Sequence, residues 1–524
     1  MNIFTPGVYA VFEPPSTRTI SGAGTSTTAM VGIAEKGRTG EPVKLHNFTE
    51  FNAEFGDFMD DLDTTKGYLA YAAYLFFQNG GKTLYAVRLA DGTGAGKMTI
   101  KHGASNVLTL TASGEGSWIK KCFVKIQRDA GSLTDFTITF LKRDPTNPNS
   151  PKQATELEVF SGLTLDSADA EDFVETRLAN SLFATAAVGN TVGATTSIDD
   201  ALAQLDASSS GTFYTFDSAA AAGDSSDEFG ESTLEDNLAP SVRGDSMVAA
   251  KDALKVLDDI AIVAFPGLDT FAKDGQTFAK STHEDSFFIA DPPKGKTETD
   301  IVDWRNDAAN LDGNEQSALY YPWLKVKHPF TGEIVELPPS GAAAGIFART
   351  DNLRGVFKAP AGTESVISGA IGFETIVSSL EQESMNKIGV NALRAFAGTG
   401  NLIWGARTLG DLGGPFRYVP VMRYYLYLRK SLVNGTQFAV FEPNDERLWT
   451  TLRMTAEAFM MREFRKGAFQ GTTPEACFFV KCDSETNPQA DIDAGFVNLH
   501  IGYAPLKPAE FVMIRISHKS ASAE

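Results

Sequence analysis

The segment Gly92-Thr93-Gly94-Ala95-Gly96-Lys97 comes nearest to a reactive site in this sequence, because a glycine-rich turn ending in lysine can cradle phosphates with its backbone N–H groups. The match fails at both ends. Asp91 stands where the loop needs its first glycine, and Met98 stands where a metal-binding hydroxyl belongs. The histidines His46, His102, His283, His328, His500 and His518 are scattered, with no HExxH and no close cysteine. His283-Glu284-Asp285 lacks a second ligand at helical spacing and reads as a surface loop; Arg243-Gly244-Asp245 matches a cell-adhesion tripeptide but reads as a turn before a helix at Met247. Cys122, Cys477 and Cys482 are odd in number and widely spaced, which suits neither a disulfide framework nor a thiolate set for zinc. They read as buried small hydrophobes, with Cys477 in a core strand over residues 476–480. No nucleophile elbow or paired catalytic carboxylates stand out. The expectation is therefore a protein without catalytic residues, cofactor or metal.

Composition points the same way. The 524 residues, 43% hydrophobic and 21% charged, suffice for several domains with real cores. A formal net charge of -20, with no segregated basic run, argues against a nucleic-acid partner, since phosphates would be repelled. The longest apolar stretch, residues 68–77, is about half of the ~20 residues a spanning helix requires, and no charged n-region precedes an apolar core at the start. No membrane insertion is expected, and the chain reads as one made and kept in cytoplasm.

The elements follow from periodicity and punctuation. Pro6, Pro14 and Pro15 with Gly7 and Gly22 keep residues 1–22 extended around the alternating patch at 8–12. A strand at 28–33, helices at 48–55 and 68–78 stopped by glycine, and a strand at 84–89 give β-α-β alternation. Residues 92–240 change to β-rich segments and then to Ala, Ser, Gly and Asp, as in exposed loops of an inserted domain. The α/β pattern resumes with a helix at 247–257 and strands at 260–265, 287–290 and 318–321. Further on come a strand at 402–409 with Arg407 exposed, a helix at 421–434 stopped by Gly435, and a helix capped by Asp445 with Leu448, Leu452, Ala456 and Phe459 on one face. That last helix ends in Arg462, Arg465 and Lys466, cations favoured at a helix C-terminus by the dipole. Residues 511–517 close the chain as an apolar strand.

One block resists this scheme. Residues 337–362, LPPSGAAAGIFARTDNLRGVFKAPAG, read as neither helix nor strand: Pro338-Pro339 fix two φ angles, and Gly341 to Gly345 carry so little bulk that another backbone could approach closely. Together with Thr5-Pro6-Gly7-Val8-Tyr9, FNAEFG at 51–56, FFQNGG at 76–81, NKIGVNAL at 386–393, Trp404-Gly405-Ala406-Arg407-Thr408 and FEPNDERLW at 441–449, the block resembles the tail sheath family of contractile phages and related contractile injection systems. The resemblance runs across most of the chain outside residues 92–240.

What the resemblance implies is a structural subunit with no enzymatic activity, stacking as rings around an inner tube and contracting to drive that tube through a target envelope, in a phage tail or a phage-like toxin-delivery particle. The expected fold is mixed α/β and α+β, multidomain: an N-terminal extended arm (1–22), an α/β domain (23–91 with 241–380), an inserted β-rich outer domain (92–240), an inner C-terminal α+β domain (381–517) and a C-terminal arm (518–524). Terminal strands would pass between neighbouring subunits. Val8, Tyr9, Val11 and Phe12 would form the inter-subunit arm, and Phe511, Val512, Met513, Ile514, Arg515 and Ile516 the terminal strand. Arg462, Arg465 and Lys466 would face the inner tube protein. Partners would be other copies of the chain, the tube, baseplate and tail terminator or cap proteins, with assembly in bacterial cytoplasm and a place in a virion tail or released particle. The competing reading is a monomeric α/β enzyme or binding module with an inserted β domain.

Overall fold

A computed structural model of the chain describes residues 19–59, 62, 66–90, 95–102, 105–115, 118, 122–129, 135–142, 154–166, 171–189, 212–215, 240–511 and 513. The chain divides into two compact units, one formed by residues 25–353 with 360–419, the other by residues 1–24, 354–359 and 420–524.

The first unit is built on one large sheet. Its strands are β1 (Thr28–Gly32), β2 (Val43–Leu45) and β3 (Leu84–Arg88), followed after an insertion by strands that return to the same sheet. The insertion holds β4 (Ala95–His102), β5 (Ser105–Glu115), β6 (Cys122–Arg128), β7 (Phe136–Lys142), β8 (Thr155–Leu163), β9 (Ala184–Val188) and β10 (Thr212–Thr215). Beyond it come β11 (Ile262–Ala264), β12 (Phe287–Ala290), β13 (Ser317–Tyr321), the short β14 (Leu324–Lys327), β15 (Ile334–Leu337) and β16 (Ala370–Phe373), then β17 (Val390–Phe396) and β18 (Gly400–Ile403). The sheet order is β18-β17-β13-β12-β11-β1-β3-β2. The six inner strands are parallel, and the two edges, β18 and β2, are antiparallel.

The apolar runs at 28–33, 84–89, 260–265 and 287–290 explain the parallel core, since such strands are covered on both faces and cannot alternate with polar residues. Ala29, Val31, Val87, Val263, Phe288 and Val390 face a core completed by Met247, Ala250 and Leu254 of the helix Pro240–Lys255, with Ile301 and Met385 from two further helices. The other face receives the helices Leu69–Gln78 and Ser340–Arg354: Gly32 lies against the Leu69 side chain, and the Phe347 ring packs against Phe287 and Tyr320.

The helix Ser340–Arg354 overturns the expectation of irregular backbone for the glycine-rich block. Glycine disfavours helices by about 1 kcal/mol per residue, but tertiary packing can outweigh that. A Cβ on Gly341 would stand 2.5 Å from the Ala72 carbonyl oxygen, and one on Gly345 2.5 Å from that of Phe76, so the two glycines, one turn apart, let the helix Leu69–Gln78 approach backbone to backbone. The close approach foreseen for this stretch is present, inside a helix.

β17 and β18 also depart from expectation. Residues after 381 were assigned to a C-terminal domain, yet β17 pairs in parallel with β13 and continues the large sheet, and the chain leaves this unit only at Pro420. A short strand at this point fits the sequence reading of residues 386–391 as a loop and short strand, and it carries the buried polar residue Asn391. Its buried amide donates to the carbonyls of Leu319 (3.2 Å) and Arg407 (2.8 Å) and accepts from the Arg407 N–H (2.7 Å). Arg407, expected exposed on a strand, is buried in an irregular segment, its guanidinium donating to the Asn386 carbonyl at 2.7 Å. Four more readings change. Arg243, Gly244 and Asp245 lie within a helix, not in a turn before it. His283 is buried and shares a 2.7 Å hydrogen bond with the Leu257 carbonyl. Cys477 is buried as expected but ends the short helix Pro474–Cys477. Gly435 sits inside the helix Val419–Thr436, not after it.

The insertion forms two antiparallel sheets, β4-β5-β9 and β10-β6-β7-β8, around their own core of Met98, Val107, Leu110, Val124, Ile138, Phe140 and Leu163. Gly96 and Lys97 of the glycine-rich stretch lie in β4, with Lys97 opposite Thr111 of β5. The insertion seats on the sheet where β1 and β3 end. A Cβ on Gly114 would lie 2.0 Å from the Gly37 carbonyl oxygen, and the Lys36 ammonium sits 4.3 Å over the Phe183 ring. Burial pushes the Lys36 pKa down.

Candidate assembly surfaces

In doubly wound sheets, ligands enter beyond the carboxyl ends of the strands where the order reverses, here beside β1 and β11. Near it, buried side chains tie the chain's own loops together. Asp291, just past β12, is buried; its Oδ1 accepts from the Ser340 N–H at 2.9 Å, and its Oδ2 accepts from the Ser340 hydroxyl at 2.5 Å and the Gly267 N–H at 3.1 Å. Burial pushes its pKa up to about 7 against these three donors. At the end of β3, the buried Arg88 guanidinium donates to the carbonyls of Ala34 and Gly37. These groups pin loops to the sheet. No group of three His, Cys, Asp or Glu residues among the described residues could hold a metal ion, and no described helix is long and apolar enough to cross a membrane.

The second unit carries the candidate surfaces for assembly. The helix Glu446–Arg465 starts at Asp445, whose carboxylate accepts from the Leu448 N–H at 2.9 Å, and packs Phe459 and Met460 against Tyr424 and Leu428 of the helix Val419–Thr436. Over them lies a small antiparallel sheet of β19 (Phe478–Lys481) and β20 (His500–Tyr503), with Phe478, Val480, Ile501 and Tyr503 turned to the core. Burial pushes the Tyr503 pKa up to about 12. Phe479 is exposed, and its ring covers Gly502. No third strand joins either edge among the described residues. Just past β20 the Gln470 N–H donates to the Ala504 carbonyl at 2.9 Å and Phe469 bridges Pro505, while β19 and β20 themselves have no further strand partner among the described residues; such edges over a packed apolar face form a template for added strands.

Beneath the sheet, the buried Glu463 carboxylate accepts from the Tyr427 hydroxyl at 3.1 Å, the Tyr424 hydroxyl at 3.4 Å and the Lys466 ammonium at 2.7 Å. Burial first, and then the Glu463 charge, raise both tyrosine pKa values well above their ordinary range. Of the three cations expected to meet an inner tube, Lys466 is thus paired with Glu463, and Arg462 donates to the Ile20 carbonyl at 2.7 Å; Arg465 is exposed at the helix end. Val8, Tyr9, Val11 and Phe12 lie outside the described residues, as do Val512, Ile514, Arg515 and Ile516. Phe511 and Met513 are exposed and belong to no strand. Sequence reasoning missed Glu463 and the docked segment at Ile20; a glycine at 435 inside an otherwise good helix was the available signal.

Residues 242–409 match the model of the phage tail sheath protein central domain, and residues 413–519 that of the phage tail sheath C-terminal domain, together more than half of the chain. This chain belongs to the phage tail sheath family. The boundary between the two family domains, at 409–413, falls close to the division between the two units and well after residue 381. The tail sheath protein of Vibrio phage KVP40 is 25% identical over 235 residues, 45% of this chain and 33% of its own. The match spans about a third of the length of the curated sheath relatives. Among solved structures, the sheath of the extracellular contractile injection system PVC in its contracted state superposes with a TM-score of 0.58 at 18% identity, covering 99% of both chains. The contracted helical sheath of the anti-feeding prophage gives 0.58 at 19% identity, covering 99% of this chain and 100% of its own. These structures share the sheath fold, mixed α/β and in several sheets, over nearly the whole length.

Proposed function

We propose that this chain is the repeating subunit of a contractile sheath, polymerising as stacked rings around an inner tube and shortening to drive the tube through a target envelope. One observation supports the reading most: the β19–β20 sheet, the segment at Ile20 that leads from the N-terminal arm and the segment that runs to Phe511 belong to the same compact unit. A neighbour's terminal segments can then add strands to that sheet, with backbone hydrogen bonds supplying affinity at little sequence demand. Val8, Tyr9, Val11 and Phe12 from one end and residues 511–516 from the other are the proposed donors, and the exposed Phe511 and Met513 leave apolar area for a neighbour to cover.

The energy for contraction is stored at assembly. The extended lattice is held kinetically, and a shift from 1:99 to 99:1 needs only about 5.5 kcal/mol, which small differences per subunit supply when summed over a long tube. Proposed partners are further copies of the chain, the inner tube protein, baseplate and terminator proteins. Arg465 remains the proposed tube contact on an otherwise acidic chain. The β-rich insertion points outward, and assembly takes place in the bacterial cytoplasm before the particle is released. A monomeric enzyme is not favoured, because the family models and the similar solved structures are those of contractile sheath proteins.

Negative-stain microscopy of the purified chain, with and without the tube protein, tests the reading. Hollow rods of uniform width are expected from the full chain, and folded but unassembled monomers after deletion of residues 1–18. Compact monomers from the full chain in both samples would overturn it.

A further inference from the structure

Residues 19–24 form no regular element, yet the Ile20 side chain, the Ile20 carbonyl and the Ala23 N–H are each held by the second unit. The Ile20 side chain is buried in the core of the second unit with Tyr424, Leu428, Phe459 and Met460. It occupies a notch in the helix Val419–Thr436, where a Cβ on Gly435 would lie 2.5 Å from Ile20 Cγ1 and 2.6 Å from Cγ2. Glycine is the least favourable residue but proline in a helix interior, and here its missing side chain is the space Ile20 fills. The Ile20 carbonyl accepts from Arg462 Nη2 at 2.7 Å, and the Ala23 N–H donates to Ser431 Oγ at 2.9 Å. Gly22 crosses the Tyr427 ring so closely that a Cβ would stand 2.5 Å from the hydroxyl oxygen, and that hydroxyl is fixed by Glu463 at 3.1 Å. Four residues after Gly24 the chain enters β1, an inner strand of the large sheet.

We propose that residues 20–23 are an anchor that fixes the root of the N-terminal arm to its own C-terminal unit, with Gly435, Ser431 and Arg462 as positioning residues for subunit linkage. The inference rests on the sheath reading. A neighbour that holds the arm pulls on the chain at residue 18, and a free segment would pass the pull to β1. The anchor delivers it to the two long helices Val419–Thr436 and Glu446–Arg465, which also support the β19–β20 sheet. Donor and acceptor of the inter-subunit strand are thereby fastened to one rigid base, and the α/β sheet is insulated from the load. Arg462 serves this anchor and not the tube surface.

The test uses the full-length chain with Arg462→Ala and Ser431→Ala combined, each alone, and Arg462→Lys, which keeps a donor for the Ile20 carbonyl. Hydrogen exchange at residues 19–28, thermal unfolding, and the concentration at which sheath forms are read with and without the tube protein. The double variant is expected to keep its thermal transition, exchange residues 19–28 at least tenfold faster, and need roughly tenfold more protein to assemble even without the tube; Arg462→Lys is expected to recover most of this. Wild-type assembly concentration despite the faster exchange would overturn the anchor, as would a defect seen only when the tube is present, which would return Arg462 to the tube interface. Should the double variant unfold, Ser431→Ala alone gives the same readouts. A wild-type chain that never assembles fails the sheath reading instead, and so the two failures are told apart.

Discussion

Gly345 lies against Phe76 so closely that a Cβ on the glycine would stand 2.5 Å from the Phe76 carbonyl oxygen and 2.8 Å from the Asn79 Cβ. Asn79 in turn bonds both backbone groups of Ser368, donating to its carbonyl at 3.1 Å and accepting from its N–H at 2.8 Å. The FFQNGG and SGAAAG motifs, far apart in sequence, are thus two sides of one helix contact. Because the obstructing atoms are mostly backbone, Gly345→Ala must push the helices apart, at about 1–3 kcal/mol. A thermal transition several degrees lower is expected; an unchanged one would mean that the helix pair is loosely packed.

Asp291 gives the fold a pH dependence. Its carboxyl is raised from 3.8 to about 7 by burial, so the folded chain binds a proton there that the unfolded chain releases. The contribution to stability is greatest below about pH 4, declines as pH rises to about 7, and is constant above. Relative to Asp291→Asn, which has no such titration, the wild type is expected to lose on the order of 4 kcal/mol across this window, at about 1.4 kcal/mol per pKa unit. Urea midpoints of both chains at pH 4 and pH 8 measure it, and parallel pH profiles would refute it.

Asn391→Leu removes the partners of the buried Arg407 N–H and of the Leu319 and Arg407 carbonyls. Buried groups left unpaired cost about 1–3 kcal/mol each, and the Gly405 backbone, which packs on Asn391, leaves little room for a branched side chain. Loss of roughly 3 kcal/mol or more in denaturant unfolding is expected, and a loss under about 1 kcal/mol would show that water replaces the amide.

Phe441 combines a left-handed backbone, φ 66°, with a fully exposed ring. A left-handed conformation costs a non-glycine residue about 1–2 kcal/mol. Phe441→Gly is expected to leave the isolated chain as stable as wild type or up to about 1 kcal/mol more stable by calorimetry; a clear loss would mean that the ring contributes packing within the chain.

Much of the architecture was legible because burial on two faces demands apolar runs, and the runs at 28–33, 84–89, 260–265 and 287–290 became the parallel strands β1, β3, β11 and β12. The helix from Glu446 was legible from Asp445 and the spacing of Leu448, Leu452, Ala456 and Phe459, since caps and faces are local signals. The candidate surfaces were legible only in part. The cations at 462, 465 and 466 were visible as charges, but not that Glu463 and the Ile20 carbonyl hold two of them.

Periodicity and residue type within short windows were enough for the alternation of strands and helices and for the interruption after residue 91. Tertiary structure alone decided that Gly341 and Gly345 belong to a helix, that the strand holding Asn391 continues the large sheet, that Arg407 and His283 are buried, and that Gly435 is a notch and not a stop. In each case a partner distant in sequence sets the conformation: the backbone of Ala72 and Phe76, the carbonyl of Leu319 or the side chain of Ile20 contributes more free energy than the local preference it overrides.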